Sequence, residues 1–498
     1  MIRKSFPLLC SVLALSLSIG GCKQEETTTP STAAPESLAK SAPTPPVPTV
    51  SPTMLPDVNP PLPGVEENLP WFDDFSWREF IALTWPAQTS GGPSYTRGVP
   101  NTTKPYGDVS GPLVFATWKN DYELFLPNGD PPAPWNSYAS PSPCGGSLQP
   151  YPVILGSFNK YHGFNEAAFG VDTGPLISQN KQYTRYQTAM NEPQYNFIIN
   201  PGSPYPGPLY LVKNLPGTGT NPPLKFTTGS IEIKAAWRVL TNVPAAQRAR
   251  YYVTSAQLLD PVTGRCTATD VGLAGLHIVN KTAKFPNWVW STFEQVDNVP
   301  AIAGETPVSS GPYGYNDPSQ PQKLSKVGQP IDKCNPPVAN PTPTQVIRLQ
   351  PINKSTQNTN NAYRNLAGVK GTVWENYQLT LTQWPINNGT DTFPNATTPA
   401  PPTNTANTVA ETWYQKSSLT TCMACHAISQ AQGDDFVFFL PLGAYPQPDD
   451  PCKAVSAFTK AQKPIPMAKG PEAAAPDGQD KVVESLQKFF KEHPPGNE

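Results

Sequence analysis

Apolar side chains recur with a helical period in only a few stretches of this chain. The clearest is residues 72–86, where Trp77, Phe80, Ile81 and Trp85 share one stripe. The pattern predicts a helix there, with Ser76 and Glu79 as a capping box and Pro86 as the stop. An aromatic stripe of this kind is expected in the core rather than around a cofactor. A second stripe, Val482, Val483, Leu486, Phe489 and Phe490, predicts an amphipathic helix near the C-terminus. From about residue 110 to 390 the pattern changes to short strand-like runs at 111–118, 208–213, 230–234, 250–259, 267–279 and 288–293. Residues 235–240 predict a short helix and 261–264 a turn. Internal repeats and an alternating βαβ rhythm are missing from the pattern. The expected fold class is α+β: a β-rich body with long loops and a small, mainly α-helical segment after it.

Composition sharpens this picture. The 498 residues include 64 prolines, and charged residues make up only 14%, which predicts many loops and few long helices. Hydrophobic residues at 38% and 11 tryptophans still suffice for a sizeable core. Net charge is −2 and no Lys or Arg run stands out, so nucleic acid is not an expected partner. At the N-terminus Arg3 and Lys4 precede an apolar stretch, residues 8–19, too short to span a bilayer and shaped like a secretory signal. It ends in Ile19, Gly20, Gly21 and Cys22, which resembles the bacterial lipobox. The resemblance implies cleavage after residue 21 and acylation (palmitate among the chains) at Cys22, with Lys23 in place of Asp implying the outer membrane. Residues 22–68 are Pro-, Thr-, Ser- and Ala-rich and are expected to form a disordered tether ahead of a body at 69–400.

The chemistry-bearing motif is Cys422, Met423, Ala424, Cys425 and His426. In a c-type haem motif each cysteine forms a thioether with a haem vinyl group, and the next histidine is the proximal iron ligand. Two cysteines three apart on one turn face the same porphyrin edge. Structural zinc would need a second Cys or His pair nearby, and a redox dithiol would need a βαβ setting; the sequence offers neither. Residues 401–446 are therefore expected to hold one covalent haem c, with 447–498 as a tail. Export agrees with this, because bacteria attach haem covalently outside the cytoplasm. With Cys10 in the signal, Cys144, Cys266, Cys334 and Cys452 remain; they could form two disulfides by any of three pairings.

The sixth iron ligand separates an electron carrier from a haem enzyme with an open site. His277 lies in an apolar strand and is the leading candidate, against the alternative of an ordinary core histidine. Met467 is the rival, and a haem segment followed by a methionine loop and a closing helix resembles a class I cytochrome c. An open iron is the third possibility. His162 and His493 are expected at the surface. Residues 407–417 suggest a helix with Trp413 and Tyr414 against the porphyrin, and 434–440 a core segment. The acidic pairs at 73–74, 434–435 and 449–450 are expected to be caps or solvated loops.

Several stretches together resemble a group of large mono-haem cytochrome c family lipoproteins of the bacterial envelope. They are residues 74–83, 272–279, 288–298, and the segment from 407 to His426. The resemblance implies haem and an envelope location and implies no substrate. The resulting expectation is a mono-haem electron-transfer lipoprotein at the outer membrane or in the periplasm, working with a redox partner protein. Its alternatives are a haem enzyme acting on a small molecule, and a surface binding module whose haem is auxiliary.

Overall fold

Helix α1 (Leu69–Leu83) starts three residues earlier than the stripe alone suggests, because Pro70 sits in its first turn, where no backbone N–H is needed. The Thr84 hydroxyl bonds back to the Phe80 carbonyl at 2.6 Å as the helix ends. Ser76 and Glu79 consequently lie mid-helix and do not form the expected capping box. Ser76 Oγ meets Ser291 Oγ at 2.7 Å and Thr382 Oγ1 at 2.9 Å, and Glu79 accepts from Asn280 Nδ2. The computed structural model describes residues 45–61, 66–89, 95–126, 128–138, 142–145, 153–156, 175–216, 221–260, 263–326, 328, 331, 336–385, 405–413, 415, 422–431 and 433–446. Cys22, His162, Cys334, Cys452, Met467, His493, the acidic pair 449–450 and the C-terminal helix lie outside them.

The remaining elements run β1 (Ala87–Thr89), β2 (Tyr95–Pro100), β3 (Lys119–Asn120), α2 (Asp121–Leu124), β4 (Val153–Gly156), β5 (Arg185–Met190) and α3 (Glu192–Ile199). Then come β6 (Ile231–Val239), α4 (Ala245–Arg248), β7 (Val253–Leu259), β8 (Cys266–Asn280), β9 (Val289–Gln295), α5 (Lys354–Arg364) and β10 (Tyr377–Gln383). Helices α6 (Cys422–Ala431) and α7 (Phe439–Gly443) follow. The fold is mixed and β-rich, with one curled sheet and few helices. The sheet has eight strands in the order β10-β9-β8-β6-β5-β3, with β7 on the first half of β8 and β4 parallel to β7. All its other pairings are antiparallel. Strand β8 is the spine: it pairs with β7 up to Gly272, with β9 from Gly275, and with β6 from Val271 to Asn280. A bulge against β6 leaves Ala274 as an extra residue, and bulges of this kind bend a sheet.

The two faces of the sheet differ. Ile233, Leu276, Ile278 and Phe293 pack with Trp77 and Phe80 of α1 in the main core. On the opposite face Tyr186 and Ala236 join Val346, Tyr315, Val409 and Trp413 in a second cluster. Of residues 235–240, expected to be a short helix, 235–239 continue β6 instead: the strand is buried on both faces, so its apolar residues run together without alternation. Two expected strands are not strands either. Residues 115–117 form a 3₁₀ turn, and 208–213 end in another at 212–214. Within the stretch expected to be a tether, residues 45–61 lie against the body. Val58 is 3% exposed in a cluster with Phe72 and Trp384, and Arg78 donates to the Val47 carbonyl at 2.9 Å. Among the described residues no helix is long and apolar enough to cross a membrane.

Candidate functional site

The motif opens α6, which meets the sheet where Gln383 of β10 pairs with Trp290 of β9. Met423 is fully buried in the main core, and its backbone N–H donates to Gln383 Oε1 at 3.2 Å. Cys422 is half-buried and packs against that core. At the far end of the helix the Ser429 hydroxyl donates to the Val437 carbonyl at 2.7 Å, tying α6 to the segment that follows it.

His426 is held on three sides. Its ring lies 4.5 Å from that of Trp290 and 5.0 Å from that of Phe438. Its Nδ1 is 2.5 Å from the Phe436 carbonyl oxygen. A carbonyl can only accept, so Nδ1 carries the proton and the lone pair of the neutral ring is on Nε2. Burial pushes the pKa down to about 4, opposed by the Phe436 carbonyl and aided by the charge of Lys234. The ring is therefore neutral at physiological pH. A fixed, neutral imidazole with a carbonyl on Nδ1 is the form in which a histidine ligates a metal. A haem c would require this donor set, an imidazole with its lone pair on Nε2 directly after two cysteines at thioether spacing.

His277 is on the same sheet face as Trp290. It faces Lys234 of β6 and Thr292 of β9 in register, and Trp290 is two residues further along β9. His277 Nε2 lies 3.2 Å from Glu411 Oε1. Burial pushes the Glu411 carboxyl up to about 8, while the Asn407 backbone N–H and Lys234 pull it down. His277 thus shares a sheet face with Trp290, which His426 touches, while Cys422 packs against the main core and the side chain of Cys425 lies outside the described residues.

Residues 407–413, the described beginning of the helix expected over 407–417, cross this face as turns. Asn407 explains why. Its Nδ2 donates to Thr292 Oγ1 at 2.8 Å and to the Phe293 carbonyl at 3.0 Å, and its Oδ1 accepts from Val409 N and Ala410 N. Trp413 does not lie against His426; it is buried with Tyr315 and Val346 and donates to the Ser325 carbonyl at 3.1 Å. Residues 436–440 are buried, continuing the core. The acidic pairs at 73–74 and 434–435 are neither caps nor solvated: all four carboxylates are buried.

Sequence reasoning did not single out Trp290, Phe436 or Glu411. Trp290 and Phe436 read as ordinary apolar positions, and the group Phe436 contributes is a backbone carbonyl, which no side chain advertises. Cys144 and Cys266 are disulfide-bonded, with Cα atoms 5.6 Å apart. Comparison with known proteins adds no relative: no family model, no curated protein and no solved structure matches the chain.

Proposed function

We propose that this chain is a c-type mono-haem cytochrome of the bacterial envelope, lipid-anchored at Cys22, that passes single electrons to and from a redox partner protein. The observation that carries the reading is the neutral His426, Nδ1 bound to a carbonyl, one residue after the second cysteine of the motif on α6. Haem supplies one-electron redox chemistry when bound. Cys422 and Cys425 would hold it by thioethers, and His426 Nε2 would ligate its iron. Trp290 and Phe438 give the ligand ring an apolar wall that limits water access and lowers the local dielectric. His277 shares the sheet face of Trp290 and would supply the second iron ligand by leaving Glu411, with Met467 as its rival.

The test is the intact mass of the full chain made with a cytochrome maturation system. A haem-sized increment that survives acid–acetone extraction is expected, and it disappears in the variant with both Cys422 and Cys425 replaced by Ala. No increment in the wild-type chain overturns the reading. Substitution His277→Ala is expected to convert six-coordinate low-spin iron to high-spin in the optical spectrum; an unchanged spectrum rejects His277 and brings Met467 forward. Cys22→Ala is expected to abolish palmitate labelling and move the protein from the membrane fraction to the soluble one. Equal labelling of variant and wild type removes the anchor from the proposal.

A further inference from the structure

We propose that Lys281 and Asp435 are positioning residues for His426, fixing the Phe436 carbonyl that its Nδ1–H addresses. The inference rests on the haem reading and deepens it. Asp435 and Phe436 both have left-handed backbones, φ 49° and 70°. Neither is glycine, so two consecutive residues hold a conformation that L side chains disfavour. Such a turn persists only where its surroundings over-determine it. Here they do. Lys281 Nζ donates to Asp435 Oδ2 at 2.7 Å and to Oδ1 at 3.0 Å. The Phe226 backbone N–H donates to Asp435 Oδ2 at 2.7 Å, and Trp288 Nε1 donates to the Asp435 carbonyl at 3.0 Å. Lys281 is itself anchored on the Pro286 carbonyl at 2.6 Å.

Taking two opposite charges out of water is costly, and a buried ion pair is weak support for stability as such. It does fix geometry. Lys281 follows the last residue of β8 and Trp288 precedes the first of β9, so one connection holds the turn at 435–436. The same β9 then presents Trp290 to the His426 ring. Ring and carbonyl are thus referenced to one rigid hairpin. Holding the carbonyl on Nδ1–H makes the imidazole a stronger donor, which favours the oxidised metal.

The experiment uses the full chain carrying its haem, with wild type, Asp435→Asn, Lys281→Arg and Glu123→Gln compared. Glu123 belongs to a separate buried pair with Arg97, and its variant controls for stability loss alone. The expected result is haem retained in all four and a higher reduction potential in Asp435→Asn. The shift should be about tenfold in the reduction equilibrium, or 59 mV for one electron. Lys281→Arg should stay near wild type, and Glu123→Gln should lower the melting temperature without moving the potential. Should Asp435→Asn not accumulate, Lys281→Met against Lys281→Arg carries the same comparison. A variant that loses the ion pair yet keeps the wild-type potential overturns the positioning role and leaves the haem reading standing. If the wild-type chain takes up no haem, that reading fails first. The ¹⁵N shifts of His426 in the haem-free chain then decide the positioning role: a pure Nδ1–H tautomer in wild type that becomes mixed in Asp435→Asn supports it, and identical tautomers overturn it.

Discussion

Two carboxyl groups of α1, Asp73 and Glu79, are fully buried, and among the described residues neither meets a cation. Neutral donors reach them instead. Thr382 Oγ1 donates to Asp73 Oδ1 at 2.8 Å and Asn280 Nδ2 donates to Glu79 Oε1, while the second oxygen of each carboxyl is buried with no hydrogen bond among the described residues. Such contacts do not repay the loss of water around a charge, so burial wins and pushes the two groups up to about 7 and about 8. Both therefore bind protons more tightly folded than unfolded. Their stabilising effect is complete below pH 4 and is lost as pH rises through 7 to 8. Denaturant titrations between pH 4 and 9 should show stability falling across that window, by a few kcal/mol in order of magnitude. Asp73→Asn and Glu79→Gln should each flatten the slope. A wild-type curve that rises with pH here contradicts the assignment. Nothing in the sequence separates these acids from surface ones: at helical spacing with Ser76, Glu79 reads as a cap, and only the sheet across from α1 makes it a core residue.

At the scale of elements, β8 links the α1 face to the proposed haem face, and Gly275 is the point where the 405–413 segment crosses it. A Cβ there would stand 2.8 Å from Val409 Cγ2 and 3.3 Å from Asn407 Nδ2. Both atoms belong to side chains locked in place, Val409 in the second cluster and Asn407 by its bonds to β9. Gly275→Val should therefore lift this segment and cost about 1–3 kcal/mol, read from denaturant midpoints. The proposed ligand His277 lies two residues on, so the haem spectrum should change with it. Wild-type stability in Gly275→Val would mean the segment is held less firmly than its contacts indicate. Strands β8 and β9 were legible because they are long and apolar. Strands β5 and β10 and helix α5 were not. Their sequences are rich in Gln, Thr, Asn and Tyr, and they take their form from neighbours: Asn360 of α5 bonds the Leu379 backbone of β10 on both its N–H and its carbonyl.

For the molecule as a whole, the Cys144–Cys266 bridge joins the start of β8 to the segment before β4 across 122 residues. Closing so long a loop removes much of the unfolded chain's freedom, so replacing both cysteines by serine should cost about 2–4 kcal/mol. Melting curves with and without reductant test this; wild type should fall to the variant's value on reduction. A melting temperature indifferent to reductant would show that the bond is not formed in the purified protein. Cys144, Cys266, Cys334 and Cys452 allowed three pairings, and sequence offered no way to choose. Proximity selects Cys144–Cys266, because both cysteines pack against one small cluster of Tyr122, Ile154 and Leu259, contributed by α2, β4 and β7.

The linear chain by itself carried the motif on which the proposed haem attachment rests. Two cysteines and a histidine within five residues act through spacing alone, and spacing survives in any fold that makes a helical turn there. It also determined the long apolar strands and α1, whose periodic stripes have one way to be buried. What only tertiary structure decided is everything that depends on residues distant in sequence. The tautomer of His426 is set by a carbonyl ten residues away. That carbonyl is held by a lysine 154 residues from its aspartate. The state of the α1 carboxyls follows from strands 200 to 300 residues on. A residue's type states which bonds it can make; its dielectric surroundings and its partners exist only once the sheet has brought them together.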